Sequence, residues 1–245
     1  MDPNKQYTHL FFDMDGTVTR SRSRISDNMK YLMEHLTQDI VIISGARVAQ
    51  IQHQTDNLDC YVLGQNGNHA VRGSEVYWED RLNSLEIAEI EAHIKKLPIS
   101  WEVPDPNDLI ENRGSQTSFS IYGHTAPVEV KEAFDPDQSK RRAILRAVPL
   151  RSDKVDVKIA GTTCLDYFRK GCDKGHNVMR FIKHMGWNPD ECIYFGDAIY
   201  PGGNDESVYG VIDTQGVSDQ DETLTILSEH FADGGAQHFD SIQRA

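Results

Sequence analysis

The residues best suited to chemistry in this chain are aspartates that directly follow apolar runs. Asp13 and Asp15 stand two positions apart in "DMDGT", after "HLFF", and Asp197 follows "CIYFG". An i, i+2 spacing directs both side chains of an extended segment to one side. A carboxylate can attack a phosphoryl group whose charge is neutralised. The pattern predicts phosphoryl transfer, with Asp13 as the nucleophile and Asp15 as the proton donor and acceptor.

Other polar residues could complete such a site. Thr17 and Ser44 are predicted to hydrogen-bond the phosphoryl oxygens, and Lys174, in "CDKGHN", is predicted to neutralise the developing charge. Clustered carboxylates need a cation, and hard oxygen ligands favour magnesium. The chain shows no clustered histidines or cysteines that would favour zinc. We therefore predict Mg2+ as the cofactor.

Elements that end at a common edge are needed to bring these residues together. "YTHLFFDMDG", "DIVIISGAR", "DCYVLGQNG", "ECIYFGD" and "VYGVIDT" read as strands, with helical spacing in "ISDNMKYLMEHL" and "DKGHNVMRFIKHMGW". Uniformly apolar strands are typical of a parallel sheet covered on both faces, and ligands bind at its carboxyl edge. The predicted fold class is α/β, with a doubly wound, Rossmann-like parallel-sheet core.

The middle of the chain has a different pattern. "SLEIAEIEAHIKKL" and "SKRRAILRAV" are helical, "TSFSIYG" alternates like a half-buried strand, and "KVDVKIAGTTCLDYF" resembles a hairpin. This mixed order predicts an antiparallel sheet with helices, inserted into the core. We assign residues 1–81 and 165–245 to a catalytic core and residues 82–164 to an inserted α+β cap.

Composition excludes several classes of function. The formal net charge of −13 argues against nucleic-acid binding, which needs many lysines and arginines on one face. No window approaches the length of apolar sequence that a membrane span requires, and the N-terminus lacks the pattern of a signal peptide. We expect a globular, cytoplasmic protein whose partner is a small molecule.

The motifs resemble those of the haloacid dehalogenase-like phosphotransferases. "DMDGT", the strand end at Ser44, Lys174 and "GDAIYPGGND" follow the order of the four motifs of that superfamily. The size and place of the insertion resemble the larger cap type. By this resemblance, magnesium is held by Asp13, the main-chain carbonyl of Asp15 and Asp197, with Asn204 and Asp205 close to the metal. A mobile cap is implied, whose closure would exclude water and select the substrate.

Within the superfamily, the chain resembles sugar-phosphate phosphatases and eukaryotic-type phosphomannomutases. "DGTVTRSRSRI", "IENRGSQTSFSIYGH", "LDYFRKGCDKG" and "PGGND" are similar to segments of the mutases. Those mutases carry three cap arginines that hold the distal phosphate of a sugar bisphosphate. This chain has Arg113 at the first of these positions, but His124 and Lys131 at the other two. Arg22 is a further candidate for substrate contact.

The cap substitutions favour a hydrolase, and "IISGAR" resembles the second motif of the phosphatases more than that of the mutases. A histidine is only partly charged at neutral pH, and lysine lacks the bidentate geometry of arginine. The first hypothesis is therefore a magnesium-dependent phosphatase that acts on a phosphorylated sugar through an aspartyl-phosphate. The alternatives are a phosphomannomutase and a catalytically silent binding module. The resemblance also makes a homodimer through the cap plausible, and the polar C-terminal tail has no assignment.

Overall fold

The chain folds into two compact units. A computed structural model describes residues 5–232. One unit comprises the residues up to Trp78 together with those from Lys174 onward, and the other comprises Glu79–Asp173. The second unit therefore begins before and ends after the predicted cap of residues 82–164. Residues 165–173, which the sequence assigned to the core, belong to this second unit because the strand Cys164–Arg169 pairs within its sheet.

The helices and strands alternate through the first unit, give way to a mixed order in the second, and alternate again near the C-terminus. In chain order they are β1 (His9–Phe12), α1 (Asp27–Glu34), β2 (Asp39–Ile43), α2 (Val48–Gln54), β3 (Tyr61–Gly64), β4 (His69–Arg72), β5 (Glu75–Glu79), α3 (Ser84–Ile94), β6 (Ile110–Asn112), β7 (Gln116–Ser120), α4 (Val128–Phe134), α5 (Ser139–Ala147), β8 (Val155–Ala160), β9 (Cys164–Arg169), α6 (Lys174–Met185), β10 (Cys192–Gly196), β11 (Asp213–Gly216) and α7 (Gln220–His230).

The first unit is built on a seven-stranded sheet with the order β11-β10-β1-β2-β3-β4-β5. The strands from β11 to β3 pair in parallel, and β4 is antiparallel to β3. The strand order reverses at β1, which lies between β2 and β10. In open parallel sheets a ligand binds in the crevice that such a reversal opens at the carboxyl ends of the strands.

Both faces of this sheet are covered. Side chains of β1 alternate, so that Leu10 and Phe12 pack with residues of α1, α2 and α7, whereas Phe11 packs with residues of α6. Each face thereby has its own apolar cluster, which explains why the parallel strands read as continuous apolar runs. The predicted α/β class with a doubly wound core is confirmed.

The second unit has a four-stranded antiparallel sheet with the order β6-β7-β9-β8. Apolar residues of β7, β8 and β9, among them Phe119 and Leu165, pack against residues of α3 and α5. The predicted α+β character of the insertion is confirmed. The sequence was wrong about "TSFSIYG", since all of β7 is buried and not only alternate residues. Two of its polar side chains are hydrogen-bonded within the unit: Ser118 Oγ donates to Asp166 Oδ1 (2.6 Å), and Ser120 Oγ accepts from the Gly123 N–H (2.9 Å).

Two further segments bear on the sequence predictions. Only the end of the last predicted strand, "VYGVIDT", is a strand. Val208 ends a 3-10 helix, Gly210 has φ +80°, and β11 begins at Asp213. The helix α7 follows Asp219, whose side chain caps it by accepting from two backbone N–H groups. Within residues 5–232, no helix has the length and apolar character needed to cross a membrane.

Candidate active site

The chain leaves β1 through a tight turn that carries the first aspartates. Asp13 is buried, and its N–H continues the sheet by donating to the Phe195 carbonyl (2.9 Å). Asp15 is partly exposed. Gly16 has φ +85°, a conformation that glycine adopts without steric cost. A Cβ at this position would lie 2.8 Å from Asp197 Oδ2, so the glycine also allows the end of β10 to approach.

Lys174 joins two of the acidic groups. It is the first residue of α6, and its Nζ donates to Asp13 Oδ1 (2.7 Å) and to Asp205 Oδ1 (2.5 Å). All three side chains are almost completely buried. Burial alone would lower the pKa of Lys174, but the two carboxylates outweigh this effect and raise it above its usual value. Lys174 is therefore a fixed cation beside Asp13.

A third carboxylate, that of Asp197, completes an acidic cluster at the end of β10. Asp13, Asp197 and Asp205 can each offer an oxygen such that the three oxygens lie within 4.8 Å of one another. Burial, together with Asp205 and Asp197, raises the pKa of Asp13 well above its usual value although Lys174 opposes this. Burial and the Asp205 carboxylate raise the pKa of Asp197 to about 6. One lysine thus does not balance the negative charge of the cluster.

The cluster fits a divalent cation with hard ligands. Asp205 Oδ2 is buried and has no hydrogen-bond partner among the described residues. A buried polar atom without a partner is costly in a folded protein unless a water molecule or an ion satisfies it. The donors are carboxylate oxygens, which suit magnesium rather than zinc. The chemistry of this donor set and the unsatisfied oxygen are both what a magnesium ion would require.

The loop after β10 returns Asp205 to the cluster. The Asp205 N–H donates to the Ala198 carbonyl (3.2 Å), and a Cβ at Gly203 would lie 2.0 Å from that same oxygen. The Pro201-Gly202-Gly203 turn is therefore tightly closed, and glycine is needed at its third position. Asn204 is half-buried beside Asp205.

Thr17 and Ser44 follow neighbouring strands, β1 and β2. The hydroxyl of Thr17 is buried and has no hydrogen-bond partner among the described residues, so it can bond a ligand. Ser44 is also buried, and its Oγ accepts a hydrogen bond from the Ala46 N–H (3.2 Å). Its O–H group can still donate a hydrogen bond to a ligand. Both hydroxyls can therefore donate to an anion at this edge of the sheet.

The structure also locates Arg22. Its side chain is exposed, and its backbone N–H donates to Asp15 Oδ1 (2.7 Å). In this arrangement Arg22 holds the carboxylate of Asp15 through the main chain. A role of its guanidinium in substrate contact stays a prediction.

Tyr194 is part of this group of charges, although the sequence did not single it out. Its hydroxyl donates to Asp205 Oδ1 (2.8 Å) and accepts from Lys174 Nζ (3.2 Å). Burial and the neighbouring carboxylates raise its pKa well above the usual value, so it stays protonated. A signal was available, because a tyrosine within a buried strand needs a partner for its hydroxyl.

The other predicted cations lie together in the second unit. Arg113 donates through Nε (3.0 Å) and Nη2 (2.9 Å) to Glu111 Oε2. Lys131 is buried and donates to the His124 carbonyl (2.9 Å). The buried Asp166, which the sequence did not single out, accepts from Ser118 Oγ (2.6 Å). An aspartate in the otherwise apolar run "CLDYF" was the available signal.

The sequence model of haloacid dehalogenase-like hydrolases matches residues 10–205, a range that runs from β1 to Asp205. The chain belongs to this family. The resemblance noted from its motifs is thereby confirmed, and the chain is an enzyme of the phosphatase or phosphomutase type.

Relatives of this haloacid dehalogenase-like chain include phosphomannomutases and a phosphatase. A phosphomannomutase of Dendrobium officinale is 25% identical over 241 residues, which cover 91% of this chain and 93% of the relative. An HMP-PP phosphatase of Klebsiella pneumoniae is 24% identical over 228 residues, which cover 82% of this chain and 80% of the relative. The solved structure of a Streptococcus mutans UA159 protein shares the fold, with a TM-score of 0.68 and 17% identity. The match covers 92% of this chain and 99% of that protein.

For a haloacid dehalogenase-like enzyme, the arrangement provides the groups that phosphoryl transfer requires. The buried Asp13 carboxylate is fixed by a buried cation, a partly exposed carboxylate stands two residues away, and two hydroxyls can bond an anion. Positioning and neutralisation of charge supply most of the rate enhancement in such reactions. The first unit therefore brings the residues predicted for the site to one edge of its sheet.

Proposed function

We propose that the chain is a magnesium-dependent phosphatase that acts on a phosphorylated sugar and forms an aspartyl-phosphate at Asp13. The observation that carries this proposal is the contact between Lys174 Nζ and Asp13 Oδ1, at 2.7 Å in a buried site beside two further carboxylates. A buried lysine that fixes one carboxylate within an acidic cluster prepares that carboxylate for attack on an anionic phosphoryl group. The same contact keeps the nucleophile oriented between turnovers.

The first half of the reaction transfers the phosphoryl group to the protein. An Asp13 carboxylate oxygen forms a bond to phosphorus, and the bond from phosphorus to the sugar oxygen breaks. Asp15, in its protonated form, gives its proton to the departing sugar oxygen. Thr17 and Ser44 donate hydrogen bonds to the phosphoryl oxygens, while Lys174 neutralises charge near the nucleophile.

The second half regenerates the enzyme. Asp15, now a carboxylate, takes a proton from water as the water oxygen attacks phosphorus, and the bond to Asp13 breaks. Inorganic phosphate leaves, and Asp15 is again protonated. Magnesium held by Asp13, the Asp15 carbonyl and Asp197, close to Asn204 and Asp205, would supply positive charge for the phosphoryl oxygens.

The charges of the second unit favour the hydrolase over the mutase. Arg113 is paired with Glu111, and burial together with Arg113 lowers the pKa of His124. His124 is then uncharged at neutral pH, because even its ordinary value lies near 6.5. Of the three positions that would hold a second phosphate by resemblance to the mutases, one is thus uncharged and one is paired with a carboxylate, while the third, Lys131, donates to the His124 carbonyl (2.9 Å). A substrate with one phosphate is the better match.

Phosphomannomutase is the second candidate, and the names of relatives such as that of Dendrobium officinale support it. In that reaction a hydroxyl of a second sugar phosphate, instead of water, would receive the phosphoryl group from Asp13. The first half-reaction is the same, so only the acceptor separates the two candidates.

One experiment distinguishes these functions. Purified protein with magnesium is incubated with a panel of hexose phosphates, with and without a hexose 1,6-bisphosphate. We expect free phosphate to be released faster than mannose 1-phosphate is converted to mannose 6-phosphate. The opposite ranking would establish the mutase. Asp13→Asn, which is nearly isosteric, should abolish both activities while the protein stays folded. Asp39→Asn should leave both activities unchanged, because Asp39 is the first residue of β2 and lies at the edge of the sheet opposite to the site.

A further inference from the structure

A tyrosine hydroxyl lies within the charges that surround Asp13. Tyr194 is the central residue of β10, and its fully buried ring packs with Val178 and Phe181 of α6. A phenylalanine would serve this packing equally well. The hydroxyl, by contrast, donates to Asp205 Oδ1 (2.8 Å) and accepts from Lys174 Nζ (3.2 Å).

These hydrogen bonds give the two carboxylate oxygens of Asp205 different surroundings. Oδ1 receives both Tyr194 (2.8 Å) and Lys174 (2.5 Å), so the carboxylate is fixed by two donors. Oδ2 is buried without a hydrogen-bond partner among the described residues. A Cβ at Gly196 would lie 2.5 Å from Oδ2, which places that oxygen against the residue that precedes Asp197. The unsatisfied oxygen thus lies where the acidic cluster forms.

We propose that Tyr194 is a positioning residue whose hydroxyl fixes the Asp205 carboxylate so that Oδ2 stays available to the magnesium ion. The same hydroxyl accepts a hydrogen bond from Lys174, whose Nζ also donates to Asp13. The catalytic consequence rests on the proposed function, whereas the effect on metal binding can be measured without any turnover. Residues that orient the ligands of a metal commonly change affinity or activity by about 10- to 100-fold when they are lost.

The test compares two tyrosine-to-phenylalanine variants. Tyr194→Phe should weaken Mg2+ binding about 10-fold or more, measured by calorimetry on the substrate-free protein. Its kcat for phosphate release should fall by a similar factor, with a smaller change in KM. Tyr7→Phe is a matched control, because it also removes the hydroxyl of a buried tyrosine that donates to a carboxylate at 2.8 Å, that of Asp213. It should bind Mg2+ and turn over like the wild type.

A double-mutant cycle shows whether Tyr194 acts through Asp205. In an Asp205→Asn background, the further change Tyr194→Phe should have little effect on the dissociation constant of Mg2+, since residues in one network are not additive. Full additivity, or a Tyr194→Phe variant that binds Mg2+ as Tyr7→Phe does, would overturn the inference. A wild type that binds Mg2+ but releases no phosphate would refute the proposed function and leave the binding data to decide the inference. A wild type without Mg2+ binding would overturn both.

Discussion

At the scale of single residues, the proposed site depends on close approach of the ends of β1 and β10. Gly16 is the residue that permits it, because its φ is +85° and a Cβ there would lie 2.8 Å from Asp197 Oδ2. The backbone conformation and the contact with Asp197 are separate requirements. They can be tested separately by comparing two glycines that both have a positive φ, of which only one has a side chain close to its Cβ position.

We predict that Gly16→Ala abolishes most activity and weakens Mg2+ binding, because the new methyl group displaces the Asp197 carboxylate. The positive φ should cost about 1 kcal/mol of the free energy of unfolding in addition. Phosphate release, Mg2+ titration and thermal unfolding measure these effects.

Gly73→Ala is the matched control for this prediction. Gly73 also has a positive φ, +55°, but a Cβ there would meet nothing within 4 Å. This variant should lose similar stability and keep full activity. Equal losses of activity in the two variants would show that the approach of Asp197 to Gly16 has no part in catalysis.

At the scale of elements, the start of α3 is fixed to β9 by one carboxylate. Glu86 accepts from the Asn83 N–H (2.8 Å) in a capping box, and from Arg169 through Nε (2.8 Å) and Nη2 (3.1 Å). The bonds from Arg169, with that from Asn83, lower the pKa of Glu86 although burial opposes them. A helix end and a strand of the second unit are thus joined through a charge that titrates in acid.

The stability of the second unit should therefore fall in acid through Glu86. Its folded pKa lies below the unfolded value of about 4.3, so its contribution is present above that value and is lost as the pH falls through the folded pKa. Glu86→Gln should cost about 1 kcal/mol at pH 7, a low figure because the Arg169 side chain is 38% exposed.

Thermal unfolding of the wild type and Glu86→Gln across pH 2.5–7 measures this effect. The two melting temperatures should converge in acid, whereas the exposed Glu91→Gln on the same helix should follow the wild type throughout. A difference between wild type and Glu86→Gln that stays constant across this range would contradict the assignment.

The sequence predicted best those strands whose ends are marked by the neighbouring residues themselves. An apolar run followed at once by Asp13, Ser44 or Asp197 identified the carboxyl ends of β1, β2 and β10. The strands β4 and β5 were not predicted, and β9 was divided between units. Membership of a sheet depends on partners far along the chain, such as Gln116 with Phe168, and no local pattern records that pairing.

At the scale of the whole molecule, the fold class could be predicted but the connections within the site could not. Lys174 and Asp13 are 161 positions apart, and their contact follows only from the packing of α6 against the sheet. The network of Tyr194 was missed for the same reason. Residue type predicted which side chains could do chemistry, whereas the tertiary structure determines which of these side chains are hydrogen-bonded to one another.

The charge of the molecule leads to the last prediction. With a formal net charge of −13, a second phosphate needs local cations, and Arg113 donates to Glu111 while Asp166 adds negative charge nearby. Glu111→Gln should therefore tighten binding of a hexose 1,6-bisphosphate by about fivefold, equivalent to roughly 1 kcal/mol for one partly exposed ion pair. The measurement is its inhibition constant against sugar monophosphate hydrolysis. Glu129→Gln, exposed in the same unit, should leave that constant unchanged. If both variants bind the bisphosphate as the wild type does, neutralisation of Arg113 does not limit the second phosphate, and the charge-based preference for a hydrolase loses its support.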